Sequence, residues 1–399
     1  MSARENRFDR WGLSRRIVVI GGGMHGLGTA FHLARLGFRS VRVLDAGYFQ
    51  SGASGRNGTL VRGGFGSQEW TRLFAFSNKR WIALSKTLGE NVMYTRRNYL
   101  IVAQSEKTER LIQAAVPVHR ENGLSSQLID AAAVKRLAPC LDVGTVRGAV
   151  QLHEGGVAPH HAAMKGFLKA ALRLGVIVEY GKPVTAIELD GKRISGVVAG
   201  GEVMPADLVL LAAGAQSVDV AALAGVKIDA FPQRIEALAL EPVRPILRPA
   251  IALPDRLCYL HQTARGEIVG GVEVNERPQN TLAADLPVMA ATAKVYAEMF
   301  PAFARLRILR HWAGMLLATP DWGPLLGPHP DMENLWVTTG WSYGVAGAAG
   351  TTELMAQSIA EGEPHELIRP FAVDRFRRGK PVAEGAIVLA PVEHPPTAA

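Results

Sequence analysis

The sequence predicts an α/β fold in which a Rossmann-type domain is interleaved with an α+β lobe built on a mixed sheet. The first observation is a wholly apolar, β-branched run at 17–20 that passes through a glycine-rich turn into a helical pattern at 29–37, as in a parallel β-α unit. The second is the length of 399 residues, which exceeds one ordinary domain. Further strand patterns, such as "RNYLIVAQ" and "RLCYLHQ", predict the second lobe.

Composition narrows the class of protein. Hydrophobic residues make up 48% and charged residues 20% of the chain, which is typical of a folded protein with a large core. The formal charge of +8 is spread along the chain, so it favours phosphate-bearing cofactors and acidic substrates over nucleic acid. Cys140 and Cys258 lack metal-ligand spacing, so we expect no metal and a reducing compartment, the cytoplasm. We also expect no membrane span.

The glycine-rich turn predicts a dinucleotide site. Gly21, Gly23 and Gly26 match the pattern G-x-G-x-x-G, in which the first glycine makes the tight turn and the second admits a pyrophosphate. The third lets the helix pack on the strand, and the helix N-terminus favours phosphate. Asp45 ends the next strand pattern, where a carboxylate accepts hydrogen bonds from ribose hydroxyls.

This fingerprint alone leaves the choice between nicotinamide and flavin open. Two later stretches favour flavin: "MPADLVLLAAGAQS" at 204–217, which follows a strand pattern at 182–189, and the strand, glycine turn and helix at 333–362. They resemble the returning segments of flavoproteins of the glutathione-reductase-like superfamily. The resemblance implies that Val184, Gly214 and Gly344 contact FAD, with the last helix directed at the flavin ring.

Four further stretches carry a family resemblance over nearly the whole chain. They are "GASGRNGTLVR" (52–62), "FPAFARLRILRHWAG" (300–314), "TPDWGPLLG" (319–327) and "EPHELIRPFAVDRFRRG" (363–379). In this order they resemble the β subunits of heterotetrameric sarcosine oxidases, within the D-amino-acid-oxidase-like group of FAD-dependent amine oxidoreductases. The resemblance implies dehydrogenation of a C–N bond of a secondary amine, with hydride transfer to FAD and hydrolysis of the imine.

The resemblance also implies site residues. Arg62 stands where relatives bind the substrate carboxylate, although a surface or phosphate-neutralising arginine is the alternative. Arg56 and Asn57 are expected to position FAD. Relatives that oxidise sarcosine carry a lysine where this chain has Gly347. Tyr343, His261 or another group therefore replaces that second anchor, or the substrate has no small-amino-acid carboxylate there.

Two other departures concern the flavin. The cysteine that tethers FAD in monomeric relatives falls near Gly314, so we expect FAD to be bound non-covalently. The strand at 266–272 lacks the lysine with which monomeric oxidases activate oxygen, so electrons are expected to leave by another route.

That route is expected to be a second flavin. In the β subunits that the chain resembles, a histidine just before a helix is linked covalently to FMN at the junction with a larger partner subunit. His160, in "GGVAPHHAAMKGFLKAALRLG" (155–175), stands near that position. Simpler relatives enter the same helix through a Gly-x-x-Pro turn, which Pro159 fits equally, so the FMN assignment stays open.

These predictions give a provisional map and three functions. The FAD-binding domain is expected to comprise 1–85, 160–225 and 325–372, the substrate and interface domain 86–159 and 226–324, and a C-terminal tail 373–399. The leading function is FAD-dependent oxidation of a sarcosine-like or proline-like amine by a β-type catalytic subunit of a complex. The alternatives are a self-sufficient D-amino-acid or glycine oxidase and a flavin-containing scaffold for a catalytic partner.

Overall fold

The structure is a computed structural model that describes residues 12–272 and 281–384. It confirms the predicted α/β class. The helices of the described residues are α1 (Met24–Arg35), α2 (Gln68–Leu88), α3 (Glu106–Glu121), α4 (Ala131–Leu137), α5 (His160–Arg173), α6 (Ser217–Leu223), α7 (Leu286–Met299) and α8 (Gly344–Glu361). The strands are β1 (Arg16–Ile20), β2 (Ser40–Asp45), β3 (Leu60–Val61), β4 (Thr95–Arg96), β5 (Tyr99–Ala103), β6 (Ser126–Ile129), β7 (Gly148–Leu152), β8 (Gly156–Val157), β9 (Ile177–Tyr180), β10 (Val184–Asp190), β11 (Arg193–Ala199), β12 (Glu202–Pro205), β13 (Leu208–Leu211), β14 (Phe231–Leu240), β15 (Ala250–Leu253), β16 (Cys258–Gln262), β17 (Ile268–Val272), β18 (Ile308–Ala318), β19 (Leu325–Pro328) and β20 (Leu335–Thr339).

A six-stranded sheet has the strand order β19-β20-β13-β1-β2-β9. Its pairs are parallel except β19–β20, which is antiparallel. Central strand β1 is buried on both faces: Ile17 and Val19 join the helix-side core, whereas Val18 and Ile20 join the core under the three-stranded sheet β10–β12. This double burial explains the unbroken apolar run of the sequence.

Small residues let three helices pack tightly on the helix-side face. A Cβ on Gly28 of α1 would lie 2.7 Å from Thr352 Cγ2 of α8, and one on Gly350 would lie 2.5 Å from Ser77 Cα of α2. Helix α8 is buried over most of its 18 residues. Its alanines, glycines and threonines therefore serve close helix contact, which holds the N-termini of α1 and α8 near each other.

An eight-stranded sheet has the order β18-β14-β17-β16-β15-β5-β7-β6, and its pairs are antiparallel except β15–β5. One face packs with Tyr296 and Met299 of α7 in a separate core that includes Leu238 and Leu260. Ile235 and Gly314 are cross-strand partners on the opposite face, which turns toward the Arg56 loop. This opposite face therefore meets the loop that joins it to the glycine turn.

The stretch that the sequence assigned to a C-terminal tail is packed as far as Glu384, which is 6% exposed. Arg375 is buried and pairs with Asp321 at 2.6 Å, and Val382 joins the helix-side core. The tail assignment therefore does not describe 373–384, since an ion pair and apolar contacts hold this stretch on the chain itself. Residues 385–399 lie outside the described residues.

Candidate functional site

The glycine fingerprint forms a bare backbone turn at the carboxyl end of β1. Gly21 has φ +111°, and a Cβ there would lie 2.3 Å from Ala212 O. A Cβ on Gly26 would lie 1.9 Å from Gly21 O. Helix α1 then begins after Gly23. Among the described residues outside its chain neighbours, an added Cβ on Gly23 would have one atom within 4 Å, Ser54 Oγ at 3.2 Å. The turn thus offers backbone and a helix N-terminus to an anionic ligand, as a dinucleotide pyrophosphate requires.

Asp45 completes this fingerprint in space. Its Oδ2 accepts a hydrogen bond from Gly22 N–H at 2.7 Å, and its Oδ1 accepts one from Gly47 N–H at 2.8 Å. The carboxylate is half-buried at the end of β2. It is therefore fixed beside the glycine turn, where a ribose hydroxyl bound next to the pyrophosphate would reach it.

The second and third segments meet the same turn. Gly214, with φ +57°, follows β13, and Ala212 in the same turn contacts Gly21. Gly344 begins α8, and its carbonyl oxygen lies 2.9 Å from Nε2 of His25, a residue inside the fingerprint. Val184 is half-buried at the start of β10. The structure thus brings the turns carrying Gly214 and Gly344 to the fingerprint.

The loop that carries Arg56 and Asn57 joins this turn to the eight-stranded sheet. Ser54 Oγ accepts from Met24 N–H at 3.0 Å, which ties the loop to the start of α1. Arg56 O accepts from Trp312 Nε1 of β18 at 2.9 Å. Asn57 folds back on the loop, since its Nδ2 donates to Ser54 O at 2.6 Å. Both predicted residues lie between the glycine turn and the second sheet.

Arg62 lies in a buried aromatic shell. It is 2% exposed, and its guanidinium carbon is 4.2 Å from the ring centroid of Phe65, 5.0 Å from that of Tyr343 and 5.6 Å from that of Tyr99. Aromatic faces stabilise a buried cation, and the low dielectric strengthens its attraction for an anion. Tyr343 is the residue just before α8. The structure therefore brings the predicted pair Arg62 and Tyr343 together.

His261 contacts the loop that leads to Arg62. It is buried on β16, and its Nε2 lies 2.9 Å from Oγ1 of Thr59, three residues before Arg62. Burial lowers the pKa of His261 to about 4, against the opposing effect of a hydrogen bond with the Gln262 backbone. The imidazole is therefore neutral near pH 7 and a weak base, and it contacts the loop that leads to Arg62.

His160 is the first residue of α5 and is half-buried. Burial, with a smaller effect of His161, lowers its pKa to about 4. Its Nδ1 is buried without a hydrogen-bond partner among the described residues. A neutral ring nitrogen at the start of a helix is chemically able to act as a nucleophile.

The sequence analysis missed several residues of this site. Glu384 Oε1 accepts from Gly66 N–H at 2.6 Å, and its Oε2 accepts from Ser67 N–H at 2.9 Å. Burial raises the pKa of Glu384 to about 7 against the opposing effects of those bonds and of Arg62. Tyr259 was also missed, although a Cβ on Gly58 would lie 2.6 Å from its ring. No spacing rule connects residues so far apart in sequence.

A bare glycine turn beside a helix N-terminus, with a carboxylate at the end of the next strand, defines the class of a dinucleotide-binding protein. The chain belongs to the DAO family of FAD-dependent oxidoreductases, whose family model matches residues 16–358. The predicted family, the FAD-dependent oxidoreductase class and the fold are therefore confirmed. Within residues 12–272 and 281–384, none of the helices combines the length and apolar character that a membrane crossing needs.

Individual relatives agree with this family. The chain is similar to the sarcosine oxidase subunit beta of Arthrobacter sp., with 29% identity over 383 residues and 94% of each chain covered. It is 23% identical to the human mitochondrial dimethylglycine dehydrogenase, over 93% of this chain and 45% of that protein. The crystal structure of L-proline dehydrogenase from P. horikoshii superimposes with a TM-score of 0.87 at 25% identity, covering 92% of this chain and 99% of that one.

Proposed function

We propose that this oxidoreductase removes a hydride equivalent from the carbon beside the nitrogen of a secondary amine that carries one carboxylate. The observation that carries the proposal is Arg62, a buried guanidinium in an aromatic shell that includes Tyr343, the residue just before α8. Relatives named for sarcosine, dimethylglycine and proline support an amine substrate. They bear out the predicted amine oxidation as a reaction class.

The residues present fit FAD. The bare turn at Gly21, Gly23 and Gly26 is a cradle that any side chain would fill, and it would hold the pyrophosphate. Asp45 would bind the ribose, and Gly214 and Gly344 would approach the nucleotide and the ring from the second and third segments. When bound, FAD supplies the acceptor for the hydride from the amine carbon. All strands of the six-stranded sheet fall inside the ranges assigned to an FAD domain, which supports that division.

Arg62 would bind and orient the substrate carboxylate. A guanidinium matches a carboxylate with two parallel hydrogen bonds, which fixes the direction of the attached carbon. Phe65 and Tyr343 cover the Arg62 guanidinium and exclude water from it. Because little water screens the two charges there, the guanidinium would attract the substrate carboxylate more strongly than an exposed arginine does. Because the His261 imidazole is a weak base, the amine would bind in its unprotonated form, and His261 would hold the Thr59 loop.

Gly347 leaves no second cation at the position of the lysine in sarcosine-oxidising relatives. A side chain at Gly347 would place its Cβ 2.6 Å from Cζ3 of Trp341, so the indole blocks the position at which sarcosine-oxidising relatives carry a lysine. The Trp341 indole is stacked on His25, with ring centroids 4.0 Å apart. An apolar wall there favours a substrate with hydrocarbon near the amine, such as a proline-like or larger N-alkyl amino acid, over sarcosine.

The proposal includes a partner for electron transfer. A Cβ on Gly270 would lie 2.0 Å from Tyr259 O, and one on Gly271 would lie 2.4 Å from Glu236 O, so β17 has no room for an oxygen-activating lysine at these positions. Electrons would pass to FMN bound covalently at His160, at an interface with a larger subunit. Similarity to sarcosine oxidase subunit beta supports a hetero-oligomer. The free Cys140 and Cys258 support a reducing, cytoplasmic location.

Two alternatives remain as outcomes of the test. A self-sufficient D-amino-acid or glycine oxidase would turn over with oxygen as a single chain. A flavin-containing scaffold would bind FAD without being reduced by any amine, and the buried Arg62 counts against it because a scaffold needs no anion site.

The experiment is to purify the chain alone and with the products of neighbouring genes, then to precipitate each with acid. FAD in the supernatant and an FMN-sized mass on the His160 peptide of the complex would support the proposal. FAD alone, with oxygen consumed by the isolated chain on adding an amino acid, would favour the self-sufficient oxidase. Loss of the FMN-sized mass in His160→Ala, with His161→Ala as the matched control, would locate the attachment.

A further inference from the structure

We infer that Glu384 is a positioning residue of the substrate site, which fixes the loop between Arg62 and Ser67 and thereby sets the affinity for the substrate carboxylate. The inference rests on the proposed role of Arg62. It concerns a residue near the end of the described chain, 322 positions away from Arg62 in sequence.

The segment 380–384, here called the C-terminal clasp, is anchored along its length. Lys380 N–H donates to Arg375 O at 2.8 Å, and Val382 N–H donates to Asp321 Oδ2 at 2.7 Å. Val382 O accepts from Trp70 Nε1 at 3.2 Å. Because Arg375 is itself paired with Asp321 in the interior, the clasp presents Glu384 at a defined place on the start of α2.

Glu384 adds a contact to the loop just after two glycines. Gly63 and Gly64 follow Arg62 and provide no side chain, so their order depends on outside contacts. Thr71 binds both backbone groups of Phe65, and His119 Nε2 lies 2.9 Å from Phe65 O. The Glu384 carboxylate binds the next two amides, which makes it the anionic member of this set of contacts.

The fixed loop bears directly on Arg62. The Phe65 ring is the nearest aromatic face to the guanidinium, at 4.2 Å, and it immediately precedes the amide that Glu384 binds. Arg62 and Glu384 are close enough for their charges to interact: the Arg62 charge lowers the pKa of Glu384, against the larger effect of burial. If the carboxylate were removed, Gly66 and Ser67 would lose a charge-assisted acceptor. The loop that carries the Phe65 ring against Arg62 would then depend on the Thr71 and His119 contacts.

Two roles of Glu384 give opposite results, which makes the inference testable. A positioning residue improves carboxylate binding, so Glu384→Gln weakens it. A carboxylate that only competes for Arg62 hinders binding, so the same change would strengthen it. Glu384→Asp keeps the charge but shortens the side chain, and it separates geometry from charge.

The experiment titrates the FAD-loaded protein with methoxyacetate, a carboxylate that cannot be oxidised as an amine, and follows the visible flavin spectrum. We expect Glu384→Gln and Glu384→Asp to raise the Kd of methoxyacetate about tenfold, and pyrrolidine, which lacks a carboxylate, to bind all variants within about twofold. Glu366→Gln is the matched control, since Glu366 is an exposed carboxylate of the same region, and it is expected to leave both Kd values unchanged.

Unchanged or tighter methoxyacetate binding in Glu384→Gln would overturn the inference. So would a parallel loss for methoxyacetate and pyrrolidine, which marks general loosening of the site. Equal methoxyacetate binding by the wild type and Arg62→Met, or none by either, would instead refute the role of Arg62 and with it the proposed function. The melting temperature and the FAD content of each variant show whether it is folded and loaded.

Discussion

Substituting alanine for Gly26 tests the predicted FAD turn at the position where the backbone leaves least space. The new Cβ would lie 1.9 Å from Gly21 O and 3.3 Å from Val19 Cγ1. Real Cβ contacts are essentially never shorter than 3.0 Å, so α1 must move from β1 by 3.0 − 1.9, or about 1.1 Å. Overpacking of this kind costs about 1–3 kcal/mol of stability. Because the atoms that move belong to the predicted FAD turn, we expect the loss in binding free energy for FAD to exceed the loss in the free energy of unfolding.

Gly52→Ala is the matched control. In the part of the chain that the structure describes, a Cβ on Gly52 would have no neighbouring atom within 4 Å, and the backbone φ of −87° suits any residue. Each variant is purified, its flavin absorbance is compared with its protein absorbance, and its melting temperature is measured with and without added FAD. We expect Gly26→Ala to be purified with little flavin and to gain little stability from FAD, while Gly52→Ala resembles the wild type. Full flavin content in Gly26→Ala would refute the assignment of the turn to FAD.

Three further predictions concern buried charges. Arg62→Met should raise the KM for a carboxylated amine about 100-fold by removing about 3 kcal/mol of binding, measured by steady-state kinetics; an unchanged KM would remove Arg62 from the site. The pKa of Glu384, raised from 4.5 to about 7, gives a stabilising contribution that is full below pH 4.5 and is lost as pH rises through 7. The free energy of unfolding of the wild type, relative to that of Glu384→Gln, should therefore fall by about 3 kcal/mol between pH 4 and 9. Chemical denaturation of both proteins at each pH measures this difference; a difference that does not change with pH would contradict the raised pKa. Asp321→Ala leaves Arg375 buried without its carboxylate and should cost about 3–5 kcal/mol, whereas Asp331→Ala, at an exposed ion pair, should cost under about 1 kcal/mol in the same assay.

Much of the nucleotide-binding half was predictable because its signals are local. A tight turn needs glycine at Gly21, and a strand buried on both faces needs an apolar run such as the one at 17–20. The carboxylate of Asp45 follows at a spacing that the β-α-β unit sets by its geometry. Short-range rules of this kind can be read from one chain, and the structure brings these residues together as expected.

The other part of the candidate site depends on contacts that no local pattern encodes. Glu384 meets Gly66 across 318 residues, and Trp312 meets Arg56 across 256. The polar, proline-containing end of the chain looked like an exposed tail, because burial of Arg375 and Glu384 becomes possible only once Asp321 and the amides of the loop are in place. From sequence alone, charged residues are predicted to be exposed, since they are rarely buried without a partner.

The absence of a lysine at Gly347 was visible in the sequence, but the residue that fills the space was not. Family resemblance identified Gly347 as a departure, and the sequence then left open what fills the space. The structure supplies Trp341, stacked on His25 and in contact with the position of a Cβ on Gly347. Gly347 and Trp341 lie six residues apart in sequence, yet their contact depends on how the turn before α8 folds.

The most direct test of FAD-dependent amine oxidation is anaerobic mixing of the FAD-loaded protein with L-proline, an N-alkyl amino acid, sarcosine, or pyrrolidine. The visible flavin absorbance reports reduction, so the measurement does not depend on the electron acceptor or the partner subunit. We predict rapid bleaching by at least one carboxylated secondary amine and slower bleaching by sarcosine than by the bulkier amines. In Arg62→Met, the same amine should reach its half-maximal bleaching rate only at about 100-fold higher concentration. The account would be contradicted if the flavin stayed oxidised with every carboxylated amine while dithionite reduced the same bound FAD completely.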